Sequence, residues 1–161
     1  MRRIFFILLL TFVFFLLEFI LYNSFGRWFK PNLLVILVVY FNLAFGIRYS
    51  LIAALFAGIW KDSFGINIFG LNIFAFIFCA YLTILLKRYL FHMGSSGSRV
   101  LIVFLVSVFN ILILYILISI FSEVNFGETV VYVLLPEVIL TTLLTGYIFK
   151  ILRKCVLRLS V

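Results

Sequence analysis

Residues 57–72 read AGIWKDSFGINIFGLN and set a lysine and an aspartate, Lys61 and Asp62, side by side between two apolar runs. Either the pair surfaces in a loop, or it occupies a built site at a helix end. The choice also decides whether the apolar segment just before it crosses a membrane or only re-enters it. Working outward, Ala54, Gly58 and Asp62 are spaced i, i+4, i+8 and fall on one helical face. Ala53 and Ala57 widen that face. Small residues so spaced let helix backbones approach closely. Asp62 therefore ends a packing stripe, from which its carboxylate can accept hydrogen bonds from free amides at the start of the next helix. Gly65 and Gly70 permit the tight turns between. Lys61 is expected to snorkel outward to the headgroups.

The rest of the chain is as apolar as this stretch. Of 161 residues, 67% are hydrophobic, 20% aromatic and only 11% charged, with mean hydropathy +1.37. A soluble domain of this size needs far more polar surface. Apolar runs of about 20 residues recur from end to end, the mark of a polytopic membrane protein. We expect an all-α, six-transmembrane-helix bundle forming a single membrane domain over 1–161. The helices are expected over about 4–22, 31–46, 49–62, 68–86, 100–121 and 130–149, with a basic tail over 150–161. The N-terminal run has no small-residue cleavage site after it and reads as an uncleaved first helix. The second and third segments are short, since an apolar core of about 13 residues spans only ~20 Å of a ~30 Å hydrocarbon layer.

The net charge of +8 comes from 13 Lys and Arg against 5 Asp and Glu, and it settles the topology. If all six segments cross, Arg2, Arg3, Arg48, Lys87, Arg88, Arg99, Lys150, Arg153, Lys154 and Arg158 share one side. Arg27, Lys30 and Lys61 are left on the other, ten against three. Positive charge collects on the cytoplasmic side, so both termini are expected there. The loops 26–32, 61–70 and 122–129 are then external, and the Gly- and Ser-rich stretch 92–98 is a flexible cytoplasmic loop. The bases of the tail would meet membrane lipids with anionic headgroups. No basic face exists on which to bind nucleic acid.

Polar groups inside such spans need partners. Glu18, two-thirds along the first helix, must be protonated, paired or turned to the bundle interior. Asn42 and Asn110 lie mid-span and fit interhelical hydrogen bonds. Glu137 follows Pro136, which either kinks the last helix or marks its first turn, where a carboxylate suits the helix dipole. Cys79, Cys155 and His92 have no metal-site spacing, and there is no nucleophile triad or phosphate loop. No catalytic residue, metal or cofactor is expected, and the protein reads as no enzyme.

The run from Lys30 to Asn72 resembles the signature region of the bacterial rod shape-determining MreD family. The matching positions are Pro31, Asn32 and Leu33 before the second helix, Gly46 at the turn into the third, Gly58 and Asp62 at its end, and Gly70, Leu71 and Asn72 entering the fourth. Asn32 stands where many members carry Asp. The resemblance implies a non-enzymatic scaffold of the cell-wall elongation complex in the bacterial cytoplasmic membrane. Its implied partners are MreC and, indirectly, MreB filaments and the wall synthases (RodA and a class B penicillin-binding protein). Asp62, Gly58 and Gly70 would then shape the external end of helices three and four, with Pro31 and Asn32 as an adjoining rim. The family also resembles in fold the substrate-binding components of energy-coupling-factor vitamin transporters. That implies an alternative, a small-molecule or lipid-binding membrane subunit. The bulky first helix, IFFILLLTFVFFLLEF, lacks the small residues at four-residue spacing with which those components dock their energising module.

Overall fold

The computed structural model describes residues 2–25, 31–64, 69–90, 96–121 and 135–159. Among these, six α-helices follow one another: α1 (Arg2–Phe25), α2 (Leu33–Phe45), α3 (Ile47–Phe64), α4 (Leu71–Leu90), α5 (Ser96–Phe121) and α6 (Leu135–Leu159). Four of them, α1, α4, α5 and α6, carry stretches long and apolar enough to cross a membrane. α2 is apolar but shorter, and α3 carries Arg48, Lys61 and Asp62 within its 18 residues.

The organising element is α2. Its sequence, LLVILVVYFNLAF, is apolar on every side, so no face of it is suited to water. Every residue from Leu33 to Asn42 is buried. All five other helices touch α2, and α1–α3, α3–α4, α4–α5 and α5–α6 are neighbours around it. At ~1.5 Å per residue this 13-residue helix is only ~20 Å long, short of the hydrocarbon thickness. Enclosure by the other helices offsets the mismatch over Leu33–Asn42, where protein surrounds α2.

The joint between α2 and α3 is one residue, Gly46. Its φ of 89° is a conformation that L side chains rarely adopt, and its N–H closes α2 by donating to the Asn42 carbonyl at 3.1 Å. Three side chains staple this end of the bundle. Asn42 Nδ2 donates to the Ala80 carbonyl at 2.7 Å, Ser50 Oγ to the Val38 carbonyl at 2.9 Å, and Lys87 Nζ to the Leu43 carbonyl at 3.4 Å.

Helix limits differ from the sequence expectation where capping, not hydropathy, sets them. Pro31, Asn32 and Gly46 lie just outside α2, and α3 runs on through Lys61 and Asp62 to Phe64. α4 begins only at Leu71, after Gly70, and takes in Lys87 and Arg88. Within the expected loop 92–98, residues 96–98 form the first turn of α5, and 92–95 lie outside the described residues. So do 26–30, 65–68 and 122–134, which hold most of the other expected loops. α6 starts at Leu135 and continues through the basic tail to Leu159. Pro136 therefore sits in its first turn.

Candidate functional site

The polar side chains singled out in the sequence gather mainly at one end of the bundle. There α2, α4 and α6 begin and α3 ends. Asp62 is the centre of the first of two clips. It is 5% exposed, and each of its carboxylate oxygens accepts two hydrogen bonds. Oδ1 accepts from the Asn72 backbone N–H (3.1 Å) and from Asn72 Nδ2 (2.7 Å). Oδ2 accepts from the N–H groups of Gly70 (2.9 Å) and Ile73 (3.2 Å). Three of these donors are amides at the first turn of α4, which have no partner within their own helix. The cap is supplied across the helix pair by α3. It also places a negative charge at the positive end of the α4 dipole.

Close packing of α3 on α4 brings the carboxylate within reach. Ala53, Ala54, Ala57 and Gly58 are all buried along the stripe that leads to Asp62. A Cβ at Gly58 would lie 2.4 Å from the Ile73 Cα, so only glycine allows this approach. Gly70, with φ 106°, turns its N–H toward Oδ2 and begins α4.

The second clip joins the starts of α2 and α6. Asn32 is 1% exposed and is used three times. Its Oδ1 accepts from the Val35 N–H and caps α2 (3.3 Å), its Nδ2 donates to Glu137 Oε1 (2.8 Å), and its backbone N–H donates to Thr141 Oγ1 (2.9 Å). Thr141 Oγ1 in turn donates to the Glu137 carbonyl at 2.6 Å. An aspartate at position 32 would set a second carboxylate against Glu137; the asparagine amide supplies the donor that this neighbour needs.

The third feature is an ion pair. Lys61 Nζ lies 2.9 Å from Glu18 Oε1, across the seam between α3 and α1, and 5.5 Å from the centre of the Phe76 ring. This corrects the expectation that Lys61 snorkels to headgroups. A carboxylate on a helix packed against α3 offers a countercharge 2.9 Å away, and pairing offsets part of the cost of holding two charges in apolar surroundings. Glu18 thus takes the paired alternative. Its other oxygen, Oε2, is buried and without a partner, as is Trp60 Nε1 nearby.

Gly46 and Asn42 belong to the opposite end, and Asn110 stands apart in the α4–α5 core. Asn110 Oδ1 accepts from the Cys79 thiol at 3.6 Å, while its Nδ2 is buried with no partner. Lys61, Thr141, Ser50 and Lys87 were not foreseen as bracing groups. Of these only Thr141 left a sequence signal, four residues after Glu137 on the same helical face.

Chemically, the capped end is occupied with itself. The Asp62 carboxylate accepts four hydrogen bonds, and the Asn32 amide gives one N–H to Glu137. Among the described residues no group of three or more His, Cys, Asp or Glu could hold a metal ion. The motif residues Pro31, Asn32, Asp62 and Asn72 are buried, so they shape this end of the bundle from within.

No curated protein and no solved structure matched the chain. A family model described as rod shape-determining protein MreD matched residues 1–155, which include both clips and the ion pair. The chain belongs to the MreD family of membrane proteins, and its role lies in the determination of rod shape.

Proposed function

We propose that this protein is a non-enzymatic scaffold of the complex that elongates the lateral cell wall, and that it binds MreC. Through MreC it would reach MreB filaments and the wall synthases. It lies in the cytoplasmic membrane with both termini in the cytoplasm, so the capped end faces outward. The observation that carries this reading is the Asp62 clip. A carboxylate that accepts four hydrogen bonds and pins two helix ends makes a rigid rim, and rigidity is what a docking surface needs. The positive-inside distribution of Lys and Arg supports the orientation.

The test is recovery of the protein from native membranes in mild detergent, with identification of what accompanies it. MreC and wall synthases are expected, with less MreC per folded molecule for Asp62→Ala. Recovery of an ATPase module and its coupling subunit in their place would overturn the scaffold and restore the transporter-like alternative. Reporter fusions at each terminus test the orientation, and an external signal from either one contradicts it.

A further inference from the structure

The outward face of α6 changes character along its length. Leu143, Gly146, Tyr147 and Lys150 recur at i, i+3, i+4, i+7 and share that face. Leu143 is 74% exposed and Tyr147 68%, and Gly146 and Lys150 are exposed as well. A Cβ at Gly146 would meet nothing within 4 Å, so the helix carries an open notch beside the two large side chains. Past the notch, Arg153 and Lys154 follow Lys150 by three and four residues, and all three bases are exposed. Residues so spaced have Cβ atoms about 5–6 Å apart, so Lys150 can share one phosphate with either neighbour. The acids among the described residues offer these bases no countercharge. Glu18, Asp62 and Glu137 lie toward the other end of the bundle, and Glu137 is about 20 Å from Lys150 along α6 itself.

We propose that this face of α6 binds one anionic phospholipid. Its phosphate rests on Lys150 and Arg153, with Lys154 beside them, and an acyl chain lies in the notch at Gly146 against Leu143 and Tyr147. Bases with no acid at hand take their countercharge from outside the protein, and a cluster of them at the end of a membrane-crossing helix recruits anionic lipid. The notch favours a lipid over a free anion. It is flanked by apolar surface on a helix long and apolar enough to cross a membrane, so it opens onto hydrocarbon. A basic anchor needs charge alone. Here a side chain is missing one turn before the charge, where the chain of a lipid held by its phosphate has to pass. The site rests on α6 crossing the membrane and does not depend on the scaffold reading.

The test is a titration of the delipidated chain in detergent with phosphatidylglycerol and, separately, with phosphatidylcholine, counting bound lipids by native mass spectrometry. The first phosphatidylglycerol should bind about tenfold more tightly than phosphatidylcholine. Lys150→Gln with Arg153→Gln should abolish that preference. Gly146→Leu keeps every charge and fills the notch, and it should weaken the binding severalfold. The charge-matched control is Arg48→Gln with Arg88→Gln, exposed bases of α3 and α4 toward the same end, and it should leave the binding unchanged. All of these positions are exposed, so none of the changes touches the core. Equal losses in the two double variants would mean diffuse attraction and overturn the proposal. It is also overturned by a wild type with no preference for phosphatidylglycerol, by unchanged binding in Gly146→Leu, or by displacement of the lipid with an equal concentration of inorganic phosphate.

Discussion

Replacing Asp62 with alanine should be among the most damaging single changes in this protein. The substitution deletes four hydrogen bonds and leaves three α4 amides without their acceptor. A hydrogen bond to a charged group contributes about 1.5–3 kcal/mol. Four such bonds are not additive, and two of them, from Gly70 and Ile73, are only partly buried, where water can substitute. The two to Asn72 are buried, and they set a loss of about 3–6 kcal/mol. Asp62→Asn keeps one acceptor oxygen and turns the other position into a donor facing donors, so at least half of that loss should remain. The assay is reversible unfolding in mixed micelles, followed by tryptophan fluorescence, on wild type, Asp62→Ala, Asn72→Ala and the double variant. Both single substitutions remove the Asn72 Nδ2–Asp62 Oδ1 bond, so the double variant should be less destabilised than the sum of the singles. A loss below about 1 kcal/mol for Asp62→Ala, or strict additivity with Asn72→Ala, would refute the capping argument.

Gly58→Ala should force α3 and α4 apart, because the new Cβ meets backbone at 2.4 Å, whereas Gly146→Ala, with nothing within 4 Å, should be silent. Overpacking costs about 1–3 kcal/mol or more, and equal thermal midpoints for the two variants would contradict the close approach. Lys61→Met strands the buried Glu18 carboxylate and should cost about 3–5 kcal/mol, much of it recovered by Glu18→Leu in the same chain. The midpoints of the single and double variants check this; a single no worse than the double removes the ion pair from the account. Gly46→Ala imposes positive φ on a side chain and should cost about 1–2 kcal/mol, read by the same unfolding assay, with no change counting against the strained turn.

Asp62 was legible in the sequence because two local signals agree on it. Its spacing from Ala54 and Gly58 marks an inward face, and Gly70 ahead of an apolar run marks a helix start. Glu137 was half legible: Pro136 left a kink and a first turn open, and the position of Leu135 at the head of α6 chooses the turn. Lys61 was misread because a lysine at a helix end has two outlets, the headgroups or an acid on another helix. Which one it takes depends on how α1 docks against α3, and no periodicity records that. The bond between Asn32 and Glu137 spans 105 residues and was invisible for the same reason. The tail after residue 149 alternates bases with apolar residues, and α6 continues through it to Leu159.

The enclosure of α2 has a consequence for biogenesis. α2 is too short to rest comfortably in a bilayer by itself, and a single residue ties it to α3, so the two must enter the membrane together as a hairpin. One neighbour of α2, α6, is synthesised last. The Asn32 amide waits for Glu137, and the flank of α2 beside Tyr40 waits for Phe149, whose ring meets it at 5.2 Å. Until the last helix leaves the ribosome, the Asn32 amide lacks Glu137 and one flank of α2 lacks Phe149. A chain truncated before α6 lacks the Asn32–Glu137 bond and the Tyr40–Phe149 contact and is expected to unfold more readily than the full chain.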